Sequence, residues 1–257
     1  MKYMGSKARI AKQLLSIILE EVNNKGFTHW VEPFVGGCNM IKNVPDTMVR
    51  LGFDNNKYLI AMYQHLQQHG FDFPNTIDKP HYNNVRSYYN NNGSYLGVNG
   101  RTLVPFKDSY VGWVGFMAST NGRFFDGGYS GISKTKIGTE RNYIDESIKG
   151  LKKEFDLIQD VNFQTKSFEE LDFKDCIIYC DPPYKGTKTY NTSKNFDYEL
   201  FYDWCRKQSI HNLVFVSEYT MPDDFIEVWS QEVKSSLSAN GVIGGNKTSV
   251  EKLFKIG

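Results

Sequence analysis

A chain of 257 residues, about 40% hydrophobic and 23% charged, can build one sizeable core with a smaller insertion. A formal net charge of +1 is no evidence for a nucleic-acid partner, although a small basic face on a neutral protein still permits one. No apolar run approaches the roughly 20 residues of a membrane span, and the first ten residues lack a signal-peptide pattern. We therefore expect a cytoplasmic protein without a membrane partner.

The four cysteines predict neither disulfides nor a metal site. They form no C-x-x-C pair, and the five histidines show no ligand spacing. Cys176 and Cys180 flank the apolar run 177–179, so we interpret the thiols as core residues and expect no bound metal.

The first part of the chain alternates predicted helices and strands. Residues 6–22 have the apolar spacing of an amphipathic helix, and residues 27–34 form a strand candidate that runs into a glycine pair. A second strand, 48–53, ends in Asp54, and residues 57–69 again look helical. A strand, a Gly-rich turn and a second strand with an acidic end are typical of an α/β sheet that binds a nucleotide-like cofactor.

The middle of the chain differs in composition and suggests an inserted module. Residues 75–145 are rich in Asn, Gly and Tyr with weak periodicity, which indicates turns and a hairpin. The α/β pattern then resumes, with elements predicted at 143–158 (helix), 176–180 (strand), 198–208 (helix), 213–217 (strand) and 250–256 (a final edge strand). We predict a catalytic domain from residues 1–74 and 143–257, and a recognition module from residues 75–142.

The motif Asp181-Pro182-Pro183-Tyr184 directly follows the predicted strand 176–180. Two prolines remove two backbone donors and fix two φ angles, so the loop is stiff. A carboxylate and a free carbonyl can both accept hydrogen bonds from an amino group on a planar ring, and Tyr184 offers a face for stacking. The alternative is a Pro-Pro turn that only closes a strand.

Three further features are weaker when taken alone. Gly36 and Gly37 in the segment 32–38 would let a ligand approach the backbone, or form a plain turn; without G-x-G-x-x-G, a dinucleotide dehydrogenase is disfavoured. Asp54 would bind ribose hydroxyls or cap a helix. Lys7, beside a glycine turn and a helix start, would bind a carboxylate or lie in solvent.

Together, these motifs resemble the Dam-type (D12 class) adenine-specific DNA methyltransferases. The segment Lys2 to Lys7 is similar to the family's opening motif, Glu32 to Gly37 to its cofactor loop, and Asp181 to Tyr184 to its catalytic motif. The chain departs from the family at Cys38, in the cofactor loop, and at Glu218, which ends a strand where Ser-Asn is usual. The order of the motifs is that of the family.

The resemblance implies a Rossmann-like class I fold and S-adenosylmethionine as cofactor. It places Tyr3, Gly5 and Lys7 at the methionine end of the cofactor, Asp54 at the ribose, and Glu32, Phe34, Gly36 and Gly37 along the pocket. Asp181 and the Pro182 carbonyl would accept the adenine amino protons beside the cofactor, with Tyr184 stacked on the base. The adenine would have to leave the duplex.

The resemblance also implies a partner, double-stranded DNA, and a bacterial or phage-infected host. A monomer is expected, and a cognate restriction endonuclease is a candidate partner. Cations among interleaved aromatics would contact phosphates and base edges. The predicted DNA-binding residues are Arg101, Lys107, Arg123, Lys134, Lys136, Arg141, Lys185 and Lys188, with Arg123 favoured for a base contact. Alternatives are methylation of cytosine N4 and a catalytically silent DNA-binding protein.

Overall fold

The computed structural model describes residues 1–3, 5–22, 26–93, 105–134, 138–186, 196–234 and 248–256. Its helices are α1 (Ala11–Val22), α2 (Lys57–His69), α3 (Lys79–Asn90), α4 (Asp108–Met117), α5 (Tyr143–Phe155) and α6 (Tyr198–Ser209). Its strands are β1 (His29–Glu32), β2 (Val49–Asp54), β3 (Ile132–Lys134), β4 (Glu140–Asn142), β5 (Asn162–Thr165), β6 (Cys176–Cys180), β7 (Leu213–Glu218), β8 (Phe225–Lys234) and β9 (Thr248–Ile256). None of these helices is long and apolar enough to cross a membrane.

The main sheet has the strand order β5-β2-β1-β6-β7-β9-β8. Strands β5, β2, β1, β6 and β7 run parallel, whereas β9 is antiparallel to both of its neighbours. The direction of winding reverses between β1 and β6, which is the topological switch point of a doubly wound sheet. The predicted Rossmann-like class is therefore confirmed.

Side chains alternate between two cores, one on each face of the sheet. Trp30 and Ile177 face a core shared with α1 to α5, while Val31 and Ile178 face a core shared with α6. Burial on both faces explains why β6 and β7 are nearly continuous apolar runs.

Most of the elements predicted in the α/β parts are confirmed. Helix α2 and strand β6 have the predicted bounds, and α5, α6 and β7 differ by one to three residues at one end. Helix α1 begins at Ala11 rather than at residue 6, and a turn precedes it in which the amides of Ile10 and Ala11 both bond to the Lys7 carbonyl.

The prediction of turns for residues 75–145 was partly wrong. The hairpin exists as β3–β4, but α3 and α4 were missed. Helix α4 is buried on nearly all sides, so it has no amphipathic period, and Gly112 and Gly115 mimic turn signals. A Cβ on Gly112 would lie 2.1 Å from the backbone oxygen of Tyr58, so this glycine instead allows α4 to pack closely on α2. The division at residues 75 and 142 stays a prediction.

The prediction of a final edge strand was also wrong. Strand β9 lies between β7 and β8, and β8 forms the edge. The apolar and polar residues alternate over 250–256, as in an edge strand, because β9 is only partly buried there. Strands β5 and β8 were not predicted. The four cysteines are free and buried, as expected of core thiols.

The close contact between α2 and α4 predicts opposite effects of the same substitution in two helices. Gly112→Ala should destabilise the protein by about 1–3 kcal/mol or more, because the new methyl group meets backbone that cannot move aside. Gly150→Ala in α5, where nothing lies within 4 Å of the added methyl group, should instead stabilise it by about 0.5–1 kcal/mol. Urea unfolding of both variants checks this, and a stable Gly112→Ala variant would contradict the packing.

Candidate active site

Four acidic side chains lie at the carboxyl ends of the parallel strands. Glu32 ends β1, Asp54 ends β2, Asp181 follows β6 and Glu218 ends β7. Ligands of open α/β sheets bind outside the carboxyl ends of the strands at the switch point, which lies here between β1 and β6. Glu32, Asp54 and Glu218 are nearly inaccessible to solvent, so their charges need compensation.

The segment Asp181–Tyr184 leaves the carboxyl end of β6 as an irregular corner. The Tyr184 hydroxyl donates to Glu251 Oε2 on β9 at 2.8 Å, and its ring meets Tyr219 edge-on with centroids 4.6 Å apart. The corner therefore combines a stiff Pro182-Pro183 backbone with an aromatic ring whose far end is anchored to β9.

The ammonium of Lys7 lies at the centre of the corner. Its Nζ is 3.0 Å from Asp181 Oδ1, 3.5 Å from Glu251 Oε2 and 4.4 Å from the centre of the Tyr184 ring. We call Lys7, Asp181, Tyr184 and Glu251 the Lys7 cluster. The sequence did not indicate either the contact of Lys7 with Asp181 or the part played by Glu251, which lies in a strand with no motif around it.

Burial and charge act in opposite directions within the Lys7 cluster. Burial lowers the pKa of Lys7, but the carboxylates of Asp181 and Glu251 more than offset it, so that pKa is raised. Burial raises the pKa of Asp181 above its ordinary value, and the Lys7 ammonium offsets part of this shift. The ion pair thus favours the charged forms of both groups in a place that water reaches poorly.

The glycine loop after β1 is tied to β2. Gly36 has a φ of +43°, its amide donates to Asp54 Oδ2 at 3.1 Å, and its carbonyl accepts from the Tyr63 hydroxyl at 2.9 Å. The other oxygen of Asp54 accepts from the amide of Asn56 at 2.9 Å. Asp54 therefore fixes the loop as well as marking the end of β2.

Tyr3 packs against the same loop. A Cβ on Gly36 would lie 2.8 Å from Tyr3 Cε1, and one on Gly37 would lie 2.6 Å from Tyr3 Cβ. The Tyr3 ring also stacks on Phe116 of α4, with centroids 5.9 Å apart. The glycines are therefore required by the tyrosine that covers them, a reason that sequence reasoning did not supply.

Two buried acids of the glycine loop region have raised pKa values. Burial raises the pKa of Asp54 to about 6, although the amides of Asn56 and Gly36 lower it in part. Burial also raises the pKa of Glu32 well above its usual range, partly opposed by the hydrogen bond from the Trp30 indole, whose Nε1 lies 2.8 Å from Glu32 Oε1.

The remaining predicted cofactor residues lie at different distances from the corner. Gly5, with a φ of +76°, directs its carbonyl to Lys7 Nζ at 3.5 Å. Phe34 instead packs in an aromatic group on the second core with Phe168, Phe196 and Phe201. The structure therefore brings Tyr3, Gly5 and Lys7 to the corner and the glycine loop, while most of the ring contacts of Phe34 lie within the core.

The donor set suits the expected cofactor, S-adenosylmethionine. The carboxylate of Asp54 can accept hydrogen bonds from ribose hydroxyls. The Lys7 ammonium can pair with the cofactor's carboxylate, and the acids around it match an ammonium or a sulfonium. The chemistry of these side chains therefore fits the group.

Several of the predicted DNA-binding cations already have acidic partners. Arg123 pairs with Asp126, and Arg141 makes two hydrogen bonds to Glu146, at 2.8 and 2.7 Å. Lys185 lies 3.8 Å from Glu199 and over the rings of Tyr198 and Tyr202. Exposed positions are held by Lys107 and Lys134, whereas Arg101, Lys136 and Lys188 lie outside the described residues. Contact with DNA stays a prediction for all of them.

Comparison with known proteins gives one family. The model of a family described as D12 class N6 adenine-specific DNA methyltransferase matches residues 3–214. No curated protein matches the sequence. Two structures of the rRNA methyltransferase aviRa from Streptomyces viridochromogenes are similar, with TM-scores of 0.41 and 0.40 and identities of 9% and 8%. Each alignment covers 99% of this chain and 86% of that chain.

The Lys7 cluster predicts a pH-dependent cost of removing its cation. Lys7→Met leaves Asp181 and Glu251 without their buried partner. We therefore expect the free energy of unfolding at pH 8 to fall by about 3 kcal/mol. Without Lys7 the already raised pKa of Asp181 rises further. The folded variant therefore takes up a proton more readily than the folded wild type. Its loss of stability relative to the wild type becomes smaller as the pH falls.

Urea unfolding at pH 8 and pH 5 measures this difference. Lys12→Met, on the exposed side of α1, is the matched control and should cost little at either pH. An equal loss for Lys7→Met at both pH values would contradict the electrostatic account.

Proposed function

Because the chain belongs to the D12 class N6 adenine-specific DNA methyltransferase family, we propose that the Lys7 cluster and the Gly36 loop form its catalytic centre. The enzyme transfers a methyl group from S-adenosylmethionine to the N6 amino group of adenine in DNA. One observation carries the assignment of residues: Asp181 and the Gly36 loop follow the adjacent strands β6 and β1 at the switch point of the sheet.

The corner 181–184 supplies what an amino group needs to become a nucleophile. Asp181 accepts one N–H of the adenine amino group, and the Pro182 carbonyl, which has no amide next to it, accepts the other. Both bonds draw the nitrogen toward tetrahedral geometry and direct its lone pair. The cofactor supplies a methyl group already activated on a sulfonium, so positioning and exclusion of water are the enzyme's main contributions.

Tyr184 and Lys7 define how the base enters. The ring of Tyr184 stacks on the adenine after the base has left the duplex. In the free protein the Lys7 ammonium already donates to Asp181 and lies over the Tyr184 ring. The amino group therefore has to displace Lys7 from the carboxylate, and the released ammonium would be able to pair with the carboxylate of a bound cofactor.

Recognition of DNA is assigned to residues 75–142, together with Lys185 and Lys188, which follow the corner 181–184 in the sequence. Arg123 follows a left-handed Asn121 in a tight turn, and its guanidinium is only partly exposed beside Asp126. If Arg123 leaves Asp126 and binds the edge of a base instead, it would contribute to recognition of the DNA sequence. The other cations would contact phosphates and set affinity.

The alternatives have less support. A match to an adenine-specific family favours adenine N6 over cytosine N4, and the intact Asp181 and Tyr184 argue against a silent DNA-binding protein. A monomeric state, a cytoplasmic location and a cognate restriction endonuclease as partner stay predictions.

The assignment predicts that Asp181→Ala separates chemistry from cofactor binding. Methyl transfer to DNA should fall by at least 100- to 1000-fold, because a polarising acceptor is lost from the reacting nitrogen. The Kd for S-adenosylmethionine, measured by calorimetry, should change by less than about threefold. Asp223→Ala, an exposed aspartate on the β7–β8 connection, is the control. Near-normal transfer by Asp181→Ala would remove the corner from the mechanism.

The pKa of Asp54 predicts a pH dependence of cofactor binding. Ribose hydroxyls donate to the ionised carboxylate, which predominates above about pH 6. Affinity should therefore fall as the pH drops, with a Kd at pH 5 roughly tenfold weaker than at pH 7. Asp54→Asn should bind more weakly and with no such change over this range. Calorimetry at pH 5, 6 and 7 tests this, and a parallel pH slope in the variant would exclude Asp54 as the titrating group.

A further inference from the structure

Glu218 is a buried carboxylate that the mechanism above does not use. It ends β7 and is 1% exposed. Its Oε2 accepts from the backbone amide of Lys185 at 3.0 Å, and its Oε1 accepts from the amide of Tyr219 at 2.7 Å. Both oxygens are thus engaged by backbone, and one of the bonds crosses from β7 to the end of the catalytic corner.

The hydrogen bond between Glu218 and the Lys185 amide matters because the corner 181–184 has few backbone donors of its own. Cys180 is held by pairing of β6 with β7 at Val216, but the next residues leave the ladder. Pro182 and Pro183 have no amide hydrogen, so the two central residues of the corner cannot be tied down by donors of their own. The amide of Lys185 is the first backbone donor after Tyr184, and Glu218 binds it. The corner is therefore held by the sheet at its start and by Glu218 at its end.

We propose that Glu218 is a positioning residue that holds the corner 181–184 in its reactive geometry by binding the Lys185 amide. This inference rests on the proposed catalytic role of Asp181. Glu218 touches neither substrate through this contact; it acts by fixing the Asp181 carboxylate and the Pro182 carbonyl relative to each other. A shift of about 1 Å in such groups can cost 100-fold in rate.

The surroundings of Glu218 make this anchor sensitive to pH. Burial raises the pKa of Glu218 to about 7, although the amides of Tyr219 and Lys185 lower it in part. Lys252, its partner across the ladder to β9, is paired with Glu227. The other groups that act on Glu218 or are acted on by it are Lys7, Asp181, Tyr198, Tyr202 and Tyr219.

Turnover and stability should respond to this ionisation in opposite directions. The ionised carboxylate makes the stronger hydrogen bond to the Lys185 amide, so kcat should rise as the pH increases through about 7. The folded-state pKa lies above the ordinary value of 4.5, so the folded protein binds more protons between these two values. The contribution of Glu218 to stability therefore falls as the pH rises from 4.5 to about 7.

Glu218→Gln and Ser217→Ala provide a matched pair of variants. Ser217 is the buried neighbour on β7, and its hydroxyl bonds to Tyr179 at 2.8 Å. Glu218→Gln should lower kcat by roughly 10- to 100-fold with KM for the cofactor nearly unchanged. It should also lose the rise of kcat near pH 7 and speed hydrogen exchange in the peptide 181–186. Ser217→Ala should keep the wild-type pH profile and exchange rate.

Glu218→Asp gives a second measurement should the glutamine variant fold poorly. It retains the charge but shortens the reach to Lys185, so kcat should fall while the pH-dependent rise remains. Wild-type kcat and pH profile in Glu218→Gln, or unchanged exchange in 181–186, would overturn the proposal. Hydrogen exchange can be measured without methyl transfer, so it tests the anchor independently of the catalytic role of Asp181. Faster exchange in Glu218→Gln together with an active Asp181→Ala variant would support the anchor but refute the proposed function.

Discussion

The rest of the site depends on the ion pairs of the buried Lys7 ammonium with Asp181 and Glu251. Parallel strands place carboxylates at one edge of the sheet, and such groups repel one another and lose hydration when they are buried together. Lys7 lies 3.0 Å from one of them, Asp181, 3.5 Å from Glu251 on the antiparallel strand β9, and over the ring of Tyr184. A formal net charge of +1 for the whole chain conceals this local excess of acid. The ion pair favours the charged form of the Asp181 carboxylate, against the effect of its burial.

The site is assembled from distant parts of the chain. Lys7 precedes the first helix, Asp181 follows a central strand, and Glu251 lies in the last strand. Glu251 reaches Tyr184 because β9 runs antiparallel to β7 and extends beyond its end, where Glu218 is the last paired residue. The position of β9 inside the edge strand β8 therefore brings Glu251 to the corner 181–184, since a strand at the edge would have stood farther from it.

The predictable parts of the site were those in which local sequence determines local structure. The strand before Asp181 and the stiffness of the corner follow from an apolar run and two prolines, and α2 follows from its helical period. Helix α4 could not be predicted, since a helix buried on all sides has no period and Gly112 acts through a helix far away in sequence. The contacts of Glu251 and Glu218 depend on strand order and register, which no short motif encodes.

Tyr3 and Gly122 link the opening segment and the Gly36 loop to the residues proposed for DNA recognition. Tyr3 packs on the Gly36 loop and on Phe116, while a Cβ on Gly122 would lie 2.1 Å from the backbone oxygen of Lys2. These two regions therefore share one wall rather than meeting through a linker. A chimaera that imported residues 75–142 from a relative would therefore alter this wall unless the contacting residues of the opening segment were replaced with it.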